Sequence, residues 1–394
     1  MTTRTLSGAA LLAILLTASL DAQTLQLLPN VRTDRFYWEN DIGFSDRHYT
    51  NGLRYSTITS STDLWARRIG HPVLRLLLLG ARACGETTLP GEACHALRTG
   101  WAFGQNFYTP DVITTPVPDP TDRPYAGWLY YGWLFELSGG GFVHEAEFDL
   151  GIVGPLSLAS TVQEGWHDLW GFPHPDGWDH QIGRGLGVQA IYRSTFDLLS
   201  GRLDGDSVSA VTPANYSLTP TGRIALGTPI TAGQIGAMLR VGRGIPPALV
   251  PRIDPAMVPP AALSAALSAE AAAADDDEAA EKMRMREEAA VARLSAERPG
   301  DAPVRPAYLF AGASVHGVLH NAFLQGTWLG SSSANPPIDL EMNRTLAELE
   351  AGGTLGLPRL PVVGRLDITL RHVWRGAEFS GAPEHRFWAF SAAW

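Results

Sequence analysis

Apolar and polar residues alternate with a period of two through most of this chain, and that limits what it can fold into. In 142–152, Phe142, Ala146, Phe148, Leu150 and Ile152 oppose Glu145, Glu147 and Asp149. In 127–137, Leu129, Tyr131, Trp133, Phe135 and Leu137 share one face. In 188–198, Val188, Tyr192 and Phe196 oppose Gln189 and Arg193, and in 365–374, Leu366, Ile368 and Leu370 oppose Asp367 and Arg371. Successive side chains of a strand point to opposite faces, so each window reads as a strand with one apolar face. A soluble sandwich alternates too, with the apolar face inward. Here the apolar face is rich in Trp, Tyr and Phe near strand ends, and the other face carries carboxylates and arginines. That pairing suits a transmembrane barrel with a polar lumen and aromatic girdles.

Twelve strands are predicted: 34–42, 49–59, 98–108, 126–138, 142–153, 185–199, 206–218, 222–243 with a break near Pro229, 305–327, 343–356, 362–375 and 385–394. An even number is what a closed bacterial barrel requires. The expected fold is therefore all-β, a twelve-stranded antiparallel transmembrane barrel with a short helix in an outer loop. If the chain starts on the periplasmic side, segments 43–48, 109–124 and 154–184 lie on the outer face, and 60–97 and 244–304 lie in the periplasm.

Residues 1–22 read as an export signal, with Arg4, an apolar run from Leu11 to Leu20, and Ala22 near the cleavage point. The barrel domain then spans 23–394. On the exported side, Cys84 and Cys94 read as one local disulfide within a helical insertion, 60–97. Segment 250–303 is an Ala-rich and acidic insertion, including Asp275-Asp276-Asp277-Glu278, and reads as helical or disordered. The formal charge of −10 argues against a nucleic-acid partner.

Two groups of polar residues stand out. Gln163 and His167 are four apart in 158–169, which puts them on one face of a short helix. A His there is either a general base or a loop-capping residue. Asn40 and Asp41 end the first strand, and Thr50 starts the second on the lumen-side parity of Arg54 and Ser56. A carboxylate, an amide carbonyl and a hydroxyl are hard oxygen ligands suited to calcium, although Asn and Asp also favour turns. Arg123 could hold a substrate phosphate or carboxylate bidentately, or clamp the loop through Asp119 or Asp122. Trp178-Asp179-His180-Gln181 reads as a loop anchor. The chain has no G-x-S-x-G elbow, H-E-x-x-H helix or glycine-rich phosphate loop.

The chain resembles the outer-membrane lipid A deacylases of the LpxR type. The resemblance lies in Glu39-Asn40-Asp41, Asp46-Arg47-His48-Tyr49-Thr50-Asn51-Gly52, Asp122-Arg123-Pro124-Tyr125-Ala126-Gly127, Gly151-Ile152-Val153-Gly154-Pro155, Gln163-x-x-x-His167, Gly177-Trp178-Asp179-His180-Gln181 and Arg375-Gly376-Ala377-Glu378-Phe379. It implies a twelve-stranded barrel in the outer membrane and lipid A, or lipopolysaccharide, as partner. It also implies calcium-dependent hydrolysis of the ester holding the 3′ acyloxyacyl group. His167 then matches the general base, and Asn40, Asp41, Thr50 and Gln163 match the other polar site residues, with Asn40, Asp41 and Thr50 as the oxygen set for the metal. Where many relatives carry an acidic residue after the Trp-Asp-x-Gln motif, this chain reads Ile182-Gly183-Arg184-Gly185. Two alternatives stand beside this reading: a phospholipase or general acyl-ester hydrolase on the same scaffold, and a non-catalytic barrel with a decayed site.

Overall fold

The structure is a computed structural model, described over residues 32–41, 48–60, 96–139, 142–201, 214–245, 305–330, 337–360 and 364–394. The expected export signal, Cys84 and Cys94 with most of their insertion, and the 250–303 insertion lie outside these residues.

Strands β1 (Arg32–Asn40), β2 (His48–Ser60), β3 (Ala96–Thr109), β4 (Ala126–Gly139), β5 (Phe142–Val153) and β6 (Gly185–Phe196) follow one another as antiparallel neighbours. A three-residue strand, β7 (Leu199–Gly201), carries β6 onward along the same partner. The remainder are β8 (Ala214–Gly227), β9 (Ile230–Ile245), β10 (Ala307–Asn321), β11 (Thr345–Leu360), β12 (Gly364–Arg375) and β13 (His385–Ala393). β1 pairs with β13 and β6 with β8, so the sheet closes on itself. With β6 and β7 counted as one stave, the barrel has twelve. Closure removes the unpaired edges that lipid could not satisfy.

Residues 206–213 of the strand expected over 206–218 lie outside the described residues; no break separates its remainder from the strand expected over 222–243, and the break expected near Pro229 is present. One strand, β8, runs through Pro220, and the chain turns at Thr228-Pro229. Proline cannot donate to a ladder and belongs at edges or bulges. Here Pro220 faces the interruption between β6 and β7. Thr221 pairs with Thr195 and Leu218 with Leu199, which leaves an extra residue on the β6–β7 side. The missing N–H falls where no acceptor is in register. The strand expected over 305–327 is also too long, because it ends at Asn321 and passes into a one-turn helix, α2 (Ala322–Gln325). Asn321 caps that turn by accepting from the Phe323 N–H at 3.0 Å.

The alternation holds on the wall. Tyr131, Trp133, Leu150, Val188 and Leu370 are exposed, and Glu147, Asp149, Gln189, Arg193 and Arg371 are buried. The lumen has two zones, and only one is the polar interior expected. Buried ion pairs Arg54–Glu147 (2.7 Å), Arg193–Glu145 (3.3 Å), Arg98–Glu136 (3.4 Å) and Arg371–Glu350 (2.9 Å) fill the first. Towards the end bearing the 110–125 and 154–184 loops the filling is aromatic. Phe323 of α2 stacks on Tyr108 with ring centroids 4.5 Å apart, and Trp128 stacks on Tyr130 at 4.4 Å. Burying a ring such as Phe323 contributes about 1.5–3 kcal/mol.

Candidate active site on the outer wall of the barrel

The 154–184 loop folds down against the outside of the barrel. On β3 the even residues Asn106 and Tyr108 point inward, so Gln105, Phe107 and Thr109 point outward, yet all three are buried. The loop covers them. Gln105 Nε2 donates to the Ser157 carbonyl at 2.7 Å, and Phe107 meets Trp178 edge-on at 6.4 Å. A polar residue on an otherwise aromatic outward face (Trp101, Phe103, Gln105, Phe107) is the sequence signal for such a cover, and sequence reasoning missed it.

A 3-10 turn at Pro155–Ser157 and helix α1 (Ala159–Trp170) form this cover. Gly154 has φ 89°, and a Cβ there would lie 2.6 Å from the Gly183 carbonyl oxygen. Gly127 lets the helix start touch the wall, because a Cβ there would come within 2.1 Å of Ser157 Oγ and 2.5 Å of the Ala159 Cβ. Two of the motifs noted in the sequence thus seat α1 on β4.

Ala159, Gln163 and His167 form the buried stripe of α1, so the four-residue spacing does place the pair on one face. Trp178 Nε1 donates to Gln163 Oε1 at 2.8 Å. Indole is donor-only, so the amide oxygen of Gln163 faces it. Trp178 is held in turn by Tyr125, with ring centroids 4.8 Å apart, and Tyr125 donates to the Ile113 carbonyl at 2.8 Å. The Trp178 segment is therefore the anchor its sequence suggests. His167 Nδ1 lies 2.5 Å from the Pro173 carbonyl oxygen. A carbonyl only accepts, so Nδ1 carries the proton and the neutral ring keeps its lone pair on Nε2. Gly171, at φ 70°, turns the chain so that Pro173 reaches back to the ring.

Asn40 and Thr50 meet directly. Asn40 Nδ2 donates to the Thr50 carbonyl at 3.0 Å and to Asn51 Oδ1 at 3.3 Å, and Trp38 Nε1 also donates to Asn51 Oδ1, at 2.8 Å. The lumen-side parity expected for Thr50 is wrong. The pairing of β2 with β3 shifts between Tyr49 and Asn51, so Thr50 is a bulge residue. Tyr49 turns inward onto Tyr108, while Thr50 Oγ1 lies 2.6 Å from Thr109 Oγ1, on the outward parity of β3. The bulge thereby moves Thr50 to the outward face of the wall, beside Thr109. Asp41, directly after β1, is buried. Thr109 is a further polar residue of this face that sequence reasoning did not single out.

Arg123 does not take the substrate-binding role expected of it. Its side chain is fully buried, ion-paired with Glu378 and set over the Tyr108 ring at 4.9 Å. It clamps the rim through Glu378, and only its backbone N–H meets Asp122, donating to Oδ1 at 2.7 Å. Glu378 also approaches Arg375, at 3.9 Å, so the segment entering β4 is joined to the end of β12 across the rim.

Asn40, Asp41 and Thr50 supply one carboxylate, one amide and one hydroxyl. Among the described residues no three His, Cys, Asp or Glu side chains gather into a metal cluster. The donor chemistry is that of hard oxygen and not of imidazole and thiolate, which fits calcium better than zinc.

A family model described as Outer membrane protein LpxR matches residues 9–394. The chain belongs to the LpxR family. The solved structure of LpxR from Salmonella typhimurium has the same fold, with a TM-score of 0.59 at 15% identity, covering 92% of this chain and 99% of that one. The β domain of the Bordetella autotransporter Brka scores 0.37 at 10% identity, covering 92% of this chain and 97% of that one. No curated protein matches the chain in sequence. A closed barrel with an exposed apolar wall and membership of the LpxR family place the protein in the outer membrane.

Proposed function

We propose that this member of the LpxR family is an outer-membrane ester hydrolase that removes the 3′-linked acyloxyacyl group of lipid A. The observation that carries the reading is the state of His167. It is buried on the wall side of a helix clamped to the lipid-facing surface, and Pro173 fixes its tautomer with Nε2 as the basic nitrogen. A general base needs that orientation.

In this mechanism the ester carbonyl lies between α1 and the outer ends of β1–β3. His167 Nε2 takes a proton from water, and the water oxygen bonds to the carbonyl carbon. The carbon–oxygen bond to the sugar then breaks. The imidazolium returns its proton to the sugar oxygen, which gives a free acid and a 3′ hydroxyl. The Gln163 NH2, aimed by Trp178, donates to the developing oxyanion or steadies the water. Asn40, Asp41 and Thr50 would hold calcium, which would supply Lewis-acid polarisation of the ester carbonyl. The filled lumen favours this reading over a channel, because buried ion pairs and stacked rings occupy the space a solute would use.

Purified protein mixed with lipid A tests the proposal. We expect free acyloxyacyl acid to appear, to stop on chelation with EGTA, and to return with added calcium. With one carboxylate in the set, binding should be weak, with Kd on the order of 10⁻⁴ M or above. Release of acid from phospholipid alone would favour the phospholipase alternative, and chelation-insensitive turnover would remove the metal from the account.

A further inference from the structure

Helix α1 has three stripes. Successive residues turn by about 100°, so Ala159, Gln163 and His167 share the stripe facing the wall, and Ser160, Thr161, Glu164 and Asp168 share a polar flank. The opposite flank carries Val162, Trp166 and Leu169, and Trp170, at the helix end, lies between that flank and the wall stripe. All four are exposed, Leu169 at 71% and Trp170 at 59%, and the two indoles touch with centroids 5.6 Å apart. Exposed aromatic and aliphatic side chains gathered on one flank mark an interaction surface.

Its position identifies the partner. The helix lies against the outward face of β3 and β4, where a bilayer surrounds the barrel. Leu150 and Ile152 are exposed on the lipid-facing side of β5, and the chain continues through exposed Leu156 and Leu158 into the apolar flank of α1. The flank is thus continuous with the wall that lipid already covers. Helices with one apolar and one charged flank and Trp at the boundary settle in the interface, with the apolar side among the acyl chains.

We propose that α1 is an interfacial helix, with its Val162, Trp166 and Leu169 flank, and Trp170 beside it, immersed in the acyl chains of the surrounding leaflet. Its polar flank faces the headgroups and water. This would hold His167 at the depth where fatty-acyl esters lie. The inference rests on the outer-membrane location and not on turnover, so it can fail or stand independently of the esterase reading.

The test uses the full chain in phosphatidylcholine nanodiscs, with Cys84→Ser and Cys94→Ser removing native thiols. An environment-sensitive NBD label is placed on Leu169→Cys or, on the polar flank, on Thr161→Cys. We expect the label at 169 to emit further to the blue and to be quenched by nitroxide carried on lipid chains. Its quenching by aqueous iodide should be about threefold weaker than at 161. Heat-modifiable gel migration verifies that each barrel is folded. If Leu169→Cys does not fold, Trp166→Cys gives the same comparison. Equal iodide quenching on the two flanks, or no quenching by chain-borne nitroxide at 169, overturns the proposal.

Discussion

At the scale of single residues, the account turns on which histidine moves the proton. Three lie on the 154–184 loop, His167, His174 and His180, and the first two stand in contrasting settings. His167 is buried with Nδ1 on a carbonyl, whereas His174 is exposed and hydrogen-bonded to Asp176 at 2.8 Å. That hydrogen bond is the main cause raising the His174 pKa above its ordinary value. The charged contact is therefore fully present at low pH and is lost as pH rises through the raised value. A general base works in the opposite sense, because it is active only when unprotonated. We predict that His174→Ala leaves the acid limb of the pH–rate profile in place. His167→Ala should remove turnover by a factor of at least about 10². If His174→Ala abolishes the acid limb, the base has been misassigned. The Gln163–His167 face was legible because helical spacing is local. Trp178 holding Gln163, and Arg123 pairing with Glu378 255 positions away, were not, because those partners meet only once the barrel has closed.

At the scale of elements, the strands were legible and their irregularities were not. Period-two alternation tolerates one bulge without losing its look, yet a bulge moves every residue beyond it to the other face. Thr50 is such a case, and parity counted back from Arg54 put it on the wrong side. Pro220 is another, since a proline reads as a break unless its neighbour is known to be interrupted. Pro220→Ala should change the urea-unfolding free energy of the lipid-embedded barrel by less than about 0.5 kcal/mol. Ala225→Pro, which lies in register with Ile191 on one side and Ala232 on the other, should cost at least about 1 kcal/mol more. Equal effects at the two positions would mean that the β6–β7 interruption does not accommodate the ring. The one-turn helix α2 escaped notice because its four residues, Ala322 to Gln325, are too few to show a period.

At the scale of the whole molecule, twelve staves enclose a filled interior and carry the proposed site on the outside. Arg54 and Glu147, on β2 and β5, are both buried and 2.7 Å apart. Removing one partner strands the other charge, so Arg54→Ala should destabilise the barrel by about 3–5 kcal/mol, read by urea unfolding in vesicles. A loss below about 1 kcal/mol would show that water reaches the lumen. The closed, even-numbered barrel could be inferred from sequence because lipid demands alternation along every strand. The loop lying on the outer wall left a weaker trace, a few polar residues such as Asn40, Asn51 and Gln105 on faces that should otherwise be greasy. The most direct test of the central claim is mass spectrometry of lipid A from outer membranes of cells carrying the wild-type chain, the His167→Ala variant, or neither. The account predicts loss of one acyloxyacyl unit with the wild type alone. Unchanged lipid A with folded wild-type barrel in the membrane, or the same loss with His167→Ala, would contradict it.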